Sequence, residues 1–289
     1  MVVEAVPEGK YVDVGGGITM HYHDAGSGER GVVLFVHGSG PGASGWSNFK
    51  GNYPYLAERG FRTLVPDTMG YGYSSKPEEG TFTLSDVAAQ YKALLDALGV
   101  KRAAVVGNSQ GGAIAITMAL DYPEQVDRLV LMAPGGLEPR ETYMEMEGIK
   151  AMIRVLYKEG VSRETMRKVF TLQLHDSSKI TDEVIEERYQ VALTQHKDNL
   201  ARIQVTNQEE RLSEIECPVL CFWGANDKFC PASGAMKIAE RCPDSRTVLL
   251  SRCGHWVMVE HAPLFNHLTH QFLDEGTRTP LKNPTISTR

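Results

Sequence analysis

Val105-Val106-Gly107-Asn108-Ser109-Gln110-Gly111-Gly112-Ala113 is the stretch on which the reading of this chain turns. The apolar run Ala103-Ala104-Val105-Val106 has strand composition and stops at Gly107, and a helix-like stretch over 112–120 begins almost at once. Between them, Gly107-Asn108-Ser109-Gln110-Gly111 matches G-x-S-x-G. A strand that becomes a helix within a few residues forces the middle residue into a strained backbone. Small residues two positions to either side keep Cβ atoms out of that turn. The Ser109 hydroxyl is then expected at the C-terminal edge of a sheet, over the positive end of a helix. Such a short pattern also recurs by chance, so it acquires meaning only through partners.

Outward from the turn, apolar strands alternate with helices. Residues 18–23 and 31–36 have strand composition, the second run ending at His37-Gly38, and 61–65 is a strand stopped by Pro66-Asp67. A helix is predicted over 46–59, closed by Gly60 as its C′ glycine. After a turn-rich segment at 70–80, Thr83-Leu84-Ser85-Asp86 resembles a capping box with Asp in place of Glu. Val87, Tyr91, Leu94, Leu95 and Leu98 follow at helical spacing until Gly99. Residues 126–132 read as the next strand. This alternation predicts an α/β fold, a mostly parallel sheet with helices on both faces.

Between 137 and 212 no strand is expected, and helices are predicted over 143–157, 164–174 and 182–195. Strands resume at 218–223 and 247–250, and a last helix covers 264–273. The chain is thus divided into a core (1–134), an inserted all-helical lid (135–212), the rest of the core (213–275), and a polar tail (276–289) expected to be disordered. An insertion beyond the C-terminal end of a strand lies where open α/β sheets bind ligands.

Composition narrows the partners. With 289 residues and 42% hydrophobic content the chain can bury a sizeable core. A net charge of −6 gives no footprint for nucleic acid or an anionic membrane. Residues 1–10 lack a basic n-region and an apolar h-region, and no later run is long and uncharged enough to span a bilayer. The cysteines, Cys217, Cys221, Cys230, Cys242 and Cys253, are odd in number and form no C-x-x-C pair. They read as buried reduced thiols rather than disulfides or a zinc site. The expectation is a cytoplasmic protein with no bound metal.

The second half supplies partners for Ser109. Phe222-Trp223-Gly224-Ala225-Asn226-Asp227 puts an acid just beyond an apolar strand, and Arg252-Cys253-Gly254-His255-Trp256 puts a histidine just beyond the next. Ser109, Asp227 and His255 each follow a strand, in the Ser…Asp…His order of the α/β-hydrolase fold. Serine is a poor nucleophile until an imidazole takes its proton, and a carboxylate fixes the imidazole tautomer. Asp227 alone reads as a turn acid and His255 alone as a core histidine; it is their joint placement that makes a triad. An oxyanion hole needs two backbone N–H groups. Gln110 supplies one, and Ser39, in the glycine-rich loop His37-Gly38-Ser39-Gly40-Pro41-Gly42, supplies the other. No G-K-[ST] follows that loop, which argues against a phosphate cradle.

Several motifs together resemble a family. His37-Gly38-Ser39-Gly40-Pro41-Gly42-Ala43, Gly45-Trp46-Ser47-Asn48-Phe49, Gly107-Asn108-Ser109, Leu131-Met132-Ala133-Pro134-Gly135-Gly136-Leu137 and Cys253-Gly254-His255-Trp256 look like the meta-cleavage product hydrolases, carbon–carbon bond hydrolases of aromatic degradation. The resemblance runs over about 11–273. It implies cofactor-independent hydrolysis of a 2-hydroxy-6-oxohexa-2,4-dienoate to 2-hydroxypenta-2,4-dienoate and a carboxylic acid. By the same resemblance Asn48, Asn108, Arg188 and Trp256 line the dienoate end, with Gly38, Gly40 and Phe229 also in the pocket and Ser39 and Gln110 as oxyanion donors. A homo-oligomer is expected. One departure concerns 199–212, which is short and polar where many relatives carry a longer, aromatic-bearing segment.

Arg188 also stands out without the resemblance. Around 182–195 at 100° per residue, Glu183, Glu186, Glu187 and Gln190 gather on one face, and Arg188 falls in the middle of the opposite face with Val184, Ile185, Tyr189, Val191 and Ala192. A guanidinium among apolar groups calls for an anion. A carboxylesterase or lactonase would use the same triad without a charged anchor, and a ligand receptor would keep the shell for binding only. Both remain the alternatives at this stage.

Overall fold

The computed structural model describes residues 6–196 and 198–275. The tail at 276–289, expected to be disordered, lies outside the described residues. The eight-stranded main sheet is built from β1 (Lys10–Asp13), β2 (Thr19–Ala25), β3 (Val32–Val36), β4 (Arg62–Pro66), β6 (Ala103–Asn108), β7 (Val126–Met132), β9 (Val219–Gly224) and β10 (Ser245–Leu250). Two further strands, β5 (Phe82–Thr83) and β8 (Ile203–Gln204), pair with each other in parallel. The main order is β1-β2-β4-β3-β6-β7-β9-β10. Pairing is antiparallel at β1/β2 and β2/β4 and parallel from β4 to β10.

Alternation along the central strands builds two cores. Leu34, Val36, Val105, Leu129 and Leu131 face one side, with Tyr91 and Leu94 of helix Leu84–Ala97 and Ile114 and Met118 of helix Gln110–Asp121. Val33, Phe35, Ala104, Val106, Val130 and Met132 face the other, with Phe49, Phe265 and Phe272. Both faces being covered, these strands are apolar throughout rather than alternately polar. β10 lies at the edge, and there Leu249 is 54% exposed.

Local chemistry explains the helix ends. The Thr83 side chain accepts from the Asp86 N–H while the Asp86 carboxylate accepts from the Thr83 N–H (2.8 Å), so the capping box forms with Asp. The helix expected over 46–59 is instead two short ones, Gly45–Phe49 and Tyr53–Ala57. Pro54 has no N–H to continue a helix and opens the second, while the Asn52 side chain turns away to Met258 O and Asn266 Oδ1. The helix expected over 143–157 is likewise broken, into Arg140–Glu145 and Glu147–Arg154, by extended backbone at Met146 (ψ 134°). β8 contradicts the expectation of no strand between 137 and 212; two residues are too few to show a period. β1 and the helix Ser233–Arg241 were not predicted.

The helices between β7 and β9 meet the loops at the C-terminal edge of the sheet. Gly42 N–H donates to Gln195 Oε1 (2.7 Å) beyond β3, and His255 N–H donates to Gln173 O (2.7 Å) beyond β10. Among the described residues no helix is long and apolar enough to cross a membrane.

Candidate active site

Ser109 sits at the turn from β6 into helix Gln110–Asp121 with φ 56°, a left-handed backbone that serine adopts only under tertiary constraint. The glycines are needed for contact. A Cβ at Gly107 would lie 2.6 Å from Gly111 O, and one at Gly111 would lie 2.1 Å from Val36 O. Either would force the helix off the sheet.

Asp227 and His255 meet beyond β9 and β10. His255 Nδ1 donates to Asp227 Oδ2 (2.7 Å), while Asp227 Oδ1 accepts from the N–H groups of Phe229 (2.7 Å) and Cys230 (2.9 Å). The carboxylate is thereby held on both oxygens, and Phe229 stacks on the imidazole with centroids 5.1 Å apart. With Nδ1 carrying the proton, neutral His255 leaves Nε2 as a base. Ser109 and His255 line one cavity, but the Ser109 hydroxyl lies beside the Cys230 thiol and makes no hydrogen bond to the imidazole. Burial, reinforced by the charge on Asp227, pushes the Cys230 thiol well above its usual range, so it is no rival nucleophile.

Neither Ser39 nor Gln110 has an acceptor for its N–H among the described residues, as an oxyanion site requires. His37 holds the loop carrying Ser39. Its Nδ1 donates to Gly38 O (2.7 Å) and its Nε2 accepts from Thr68 N–H (2.9 Å), a pattern open only to neutral imidazole. Burial, the largest influence, lowers the His37 pKa and keeps it neutral.

The cavity is walled by Gly38, Ser39, Asn48, Asn108, Phe229 and Trp256 besides Ser109 and His255. Asn108 is anchored by Nδ2 to Met132 O (3.2 Å). Gly40, expected in the pocket, is not on the cavity wall; a Cβ there would face Met152 Sδ, which is, at 3.5 Å. Arg188 is one layer back: it donates to Asn48 Oδ1 (2.8 Å) and Ser47 O (3.1 Å), with its guanidinium 4.5 Å from the Trp256 ring centre. It is 3% exposed and forms no ion pair among the described residues. Burial pulls its pKa down to about 10, so it is still a cation at neutral pH. Glu187, expected on the polar face, is instead buried and paired with Lys50 (2.6 Å). Packing of this helix against the core reaches further round than the wheel indicates.

The α/β-hydrolase fold family matches residues 31–262. The chain is 37% identical over 267 residues to a 2-hydroxy-6-oxononadienedioate/2-hydroxy-6-oxononatrienedioate hydrolase of Comamonas testosteroni, covering 89% of this chain and 92% of that protein. Identity and coverage are the same, 37% with 89% and 92%, for a 2-hydroxy-6-oxo-6-phenylhexa-2,4-dienoate hydrolase of Burkholderia cepacia. Among solved structures, a meta-cleavage product hydrolase of Pseudomonas fluorescens IP01 superposes with a TM-score of 0.82 at 29% identity, covering 92% of this chain and 98% of that one. The chain belongs to the meta-cleavage product hydrolases.

Three cavity residues of this hydrolase escaped sequence reasoning: Ile149, Met152 and Gln173. Ile149 and Met152 lie three apart on helix Glu147–Arg154, a spacing that equally marks plain core. A further residue shapes the site without touching it. Glu260, buried beyond His255, accepts from the N–H groups of Gly254 (2.7 Å), His175 (3.1 Å) and Asp176 (2.7 Å). It thus straps the loop of His255 to the helical insertion. Gly254 is buried, so leaving its N–H unmet costs about 1–3 kcal/mol, and the two bonds that close the exposed His175–Asp176 turn are lost with it. Glu260→Ala is therefore expected to lower stability by at least about 2 kcal/mol, read from the urea midpoint. A change under about 0.5 kcal/mol would mean that the strap is dispensable.

Proposed function

We propose that this hydrolase cleaves the C5–C6 bond of a 2-hydroxy-6-oxohexa-2,4-dienoate, with Ser109, His255 and Asp227 as the catalytic triad, Ser39 and Gln110 as oxyanion donors, and 135–212 as the lid. Expelling a carbanion is prohibitive unless its charge is delocalised. The 2-hydroxydienoate therefore first shifts to its keto tautomer, placing a proton on C5 through His255. Ser109, or a water that it orients, then attacks the C6 ketone, and the developing alkoxide is met by the two N–H groups. Collapse breaks C5–C6 and returns the electrons into a conjugated dienolate. In sum, water contributes hydroxyl to C6 and a proton to the released dienoate. The free thiols, four of them buried, support a cytoplasmic setting.

Arg188 is the observation that carries this reading over an esterase. A buried cation that forms no ion pair among the described residues, its near acid Glu187 being held by Lys50, is set against Asn48 and Trp256 at the cavity wall and favours a substrate bearing a carboxylate. The dienoate acids named for the Comamonas and Burkholderia relatives share that group. Arg188→Gln is expected to cut kcat/KM for 6-alkyl and 6-aryl dienoates by roughly a hundredfold, about 3 kcal/mol, and to affect a neutral p-nitrophenyl ester far less. Equal losses on both would return the esterase reading to the front.

A further inference from the structure

We infer that Gln173 is a specificity-determining residue that accepts a hydrogen bond from the 2-hydroxyl of the dienoate, an inference that rests on the dienoate reading above. Gln173 follows helix Arg163–Thr171 and lines the cavity at 4% exposure. Its backbone is fully engaged: the carbonyl accepts from His255 N–H (2.7 Å) and Trp256 N–H (3.1 Å), and its own N–H donates to Phe170 O (3.0 Å). Gly254 permits this approach, since a Cβ there would lie 2.4 Å from Gln173 O. The residue is thus fixed at the cavity wall by main-chain bonds that do not depend on its side chain.

The side chain is the anomaly. Among the described residues Gln173 Oε1 is buried and has no donor, and Asn48 Nδ2, on the same cavity, is buried and has no acceptor. A buried amide without a partner forfeits its hydration and recovers nothing, so two such groups on one cavity point to a ligand that completes both. Asn48 Oδ1 is already taken by Arg188, which leaves Asn48 Nδ2 as a donor beside a cation. Those donors match a carboxylate. The substrate's 6-oxo group is likewise an acceptor, matched to the N–H groups of Ser39 and Gln110. Its single donor is the 2-hydroxyl, adjacent to the carboxylate. Of the side-chain acceptors on the cavity wall, Gln173 Oε1 is the one both buried and unmet among the described residues. A carboxamide also suits the position because a carboxylate there would repel the substrate's own charge.

The test compares 2-hydroxy-6-oxohepta-2,4-dienoate with 6-oxohepta-2,4-dienoate, which lacks the hydroxyl, as ligands of the Ser109→Ala/His255→Ala protein, in which the keto shift is slowed as well as cleavage so that the bound ligand keeps its 2-hydroxyl, followed by absorbance. We expect the hydroxylated ligand to bind about tenfold tighter, and Gln173→Met in the same background to shrink that ratio to about twofold or less. A merely structural role would weaken both ligands alike and leave the ratio intact. Gln173→Leu provides a second variant should Gln173→Met not fold, because the main-chain bonds survive either change. An unchanged ratio in a folded variant, with wild-type protein still cleaving the dienoate, overturns the role of Gln173 alone. Failure of wild-type protein to cleave the dienoate overturns the dienoate reading, and this inference with it.

Discussion

Ser109→Ala is expected to fold, to bind the dienoate, and to cleave it at least about a thousandfold more slowly, a loss of about 4 kcal/mol in transition-state stabilisation. The structure explains why folding should survive. Ser109 holds its strained turn through backbone bonds, its N–H to Met132 O (3.0 Å) and its carbonyl to Gly135 N–H (2.9 Å), and the hydroxyl contributes to neither. Alanine tolerates φ near 56° no worse than serine does. Binding should survive because the proposed contacts of Arg188, Asn48 and Trp256 with the other end of the ligand do not involve the hydroxyl. Single-turnover absorbance measures the cleavage step. Product formation near the wild-type rate would remove Ser109 from the chemistry.

His255→Ala is expected to slow two phases where Ser109→Ala mainly slows one. In the proposed mechanism the imidazole has a proton to deliver to C5 during the keto shift and another to take during attack on C6, and general acid–base catalysis at each step is worth about a hundredfold to ten-thousandfold. Overall turnover should fall by roughly a thousandfold or more. The Asp227 carboxylate stays anchored through Oδ1 by the Phe229 and Cys230 N–H groups when the ring is removed, so the loss reports the imidazole itself. Stopped-flow absorbance resolves dienoate, keto intermediate and product. A keto shift at the wild-type rate in His255→Ala would show that the shuttle role belongs elsewhere.

Much of this molecule is legible in short stretches of sequence. The parallel sheet follows from apolar runs such as Val32–Val36 and Val219–Gly224, because a strand covered on both faces has no polar side to show. The elbow follows from glycines bracketing Ser109, and the capping box from Thr83 and Asp86, since both devices act over a few residues. Arg188 is visible on a helical wheel as a charge on an apolar face, and Asp227 and His255 through their places after strands. Other features came only with the tertiary structure. Pro54 and Met146 break helices whose hydrophobic spacing runs straight through them, and Glu187 is buried where the wheel puts it in solvent. Glu260 and Gln173 look ordinary in the sequence, yet one binds the His175 N–H from 85 residues away and the other bonds His255 and Trp256 across the fold. Patterns of period and spacing record what a residue's near neighbours require. Hydrogen bonds between distant loops and unmet polar atoms on a cavity wall exist only after the chain has closed on itself, so the sequence determined the scaffold and the strand-end places of Ser109, Asp227 and His255, while the packed structure decided what surrounds them.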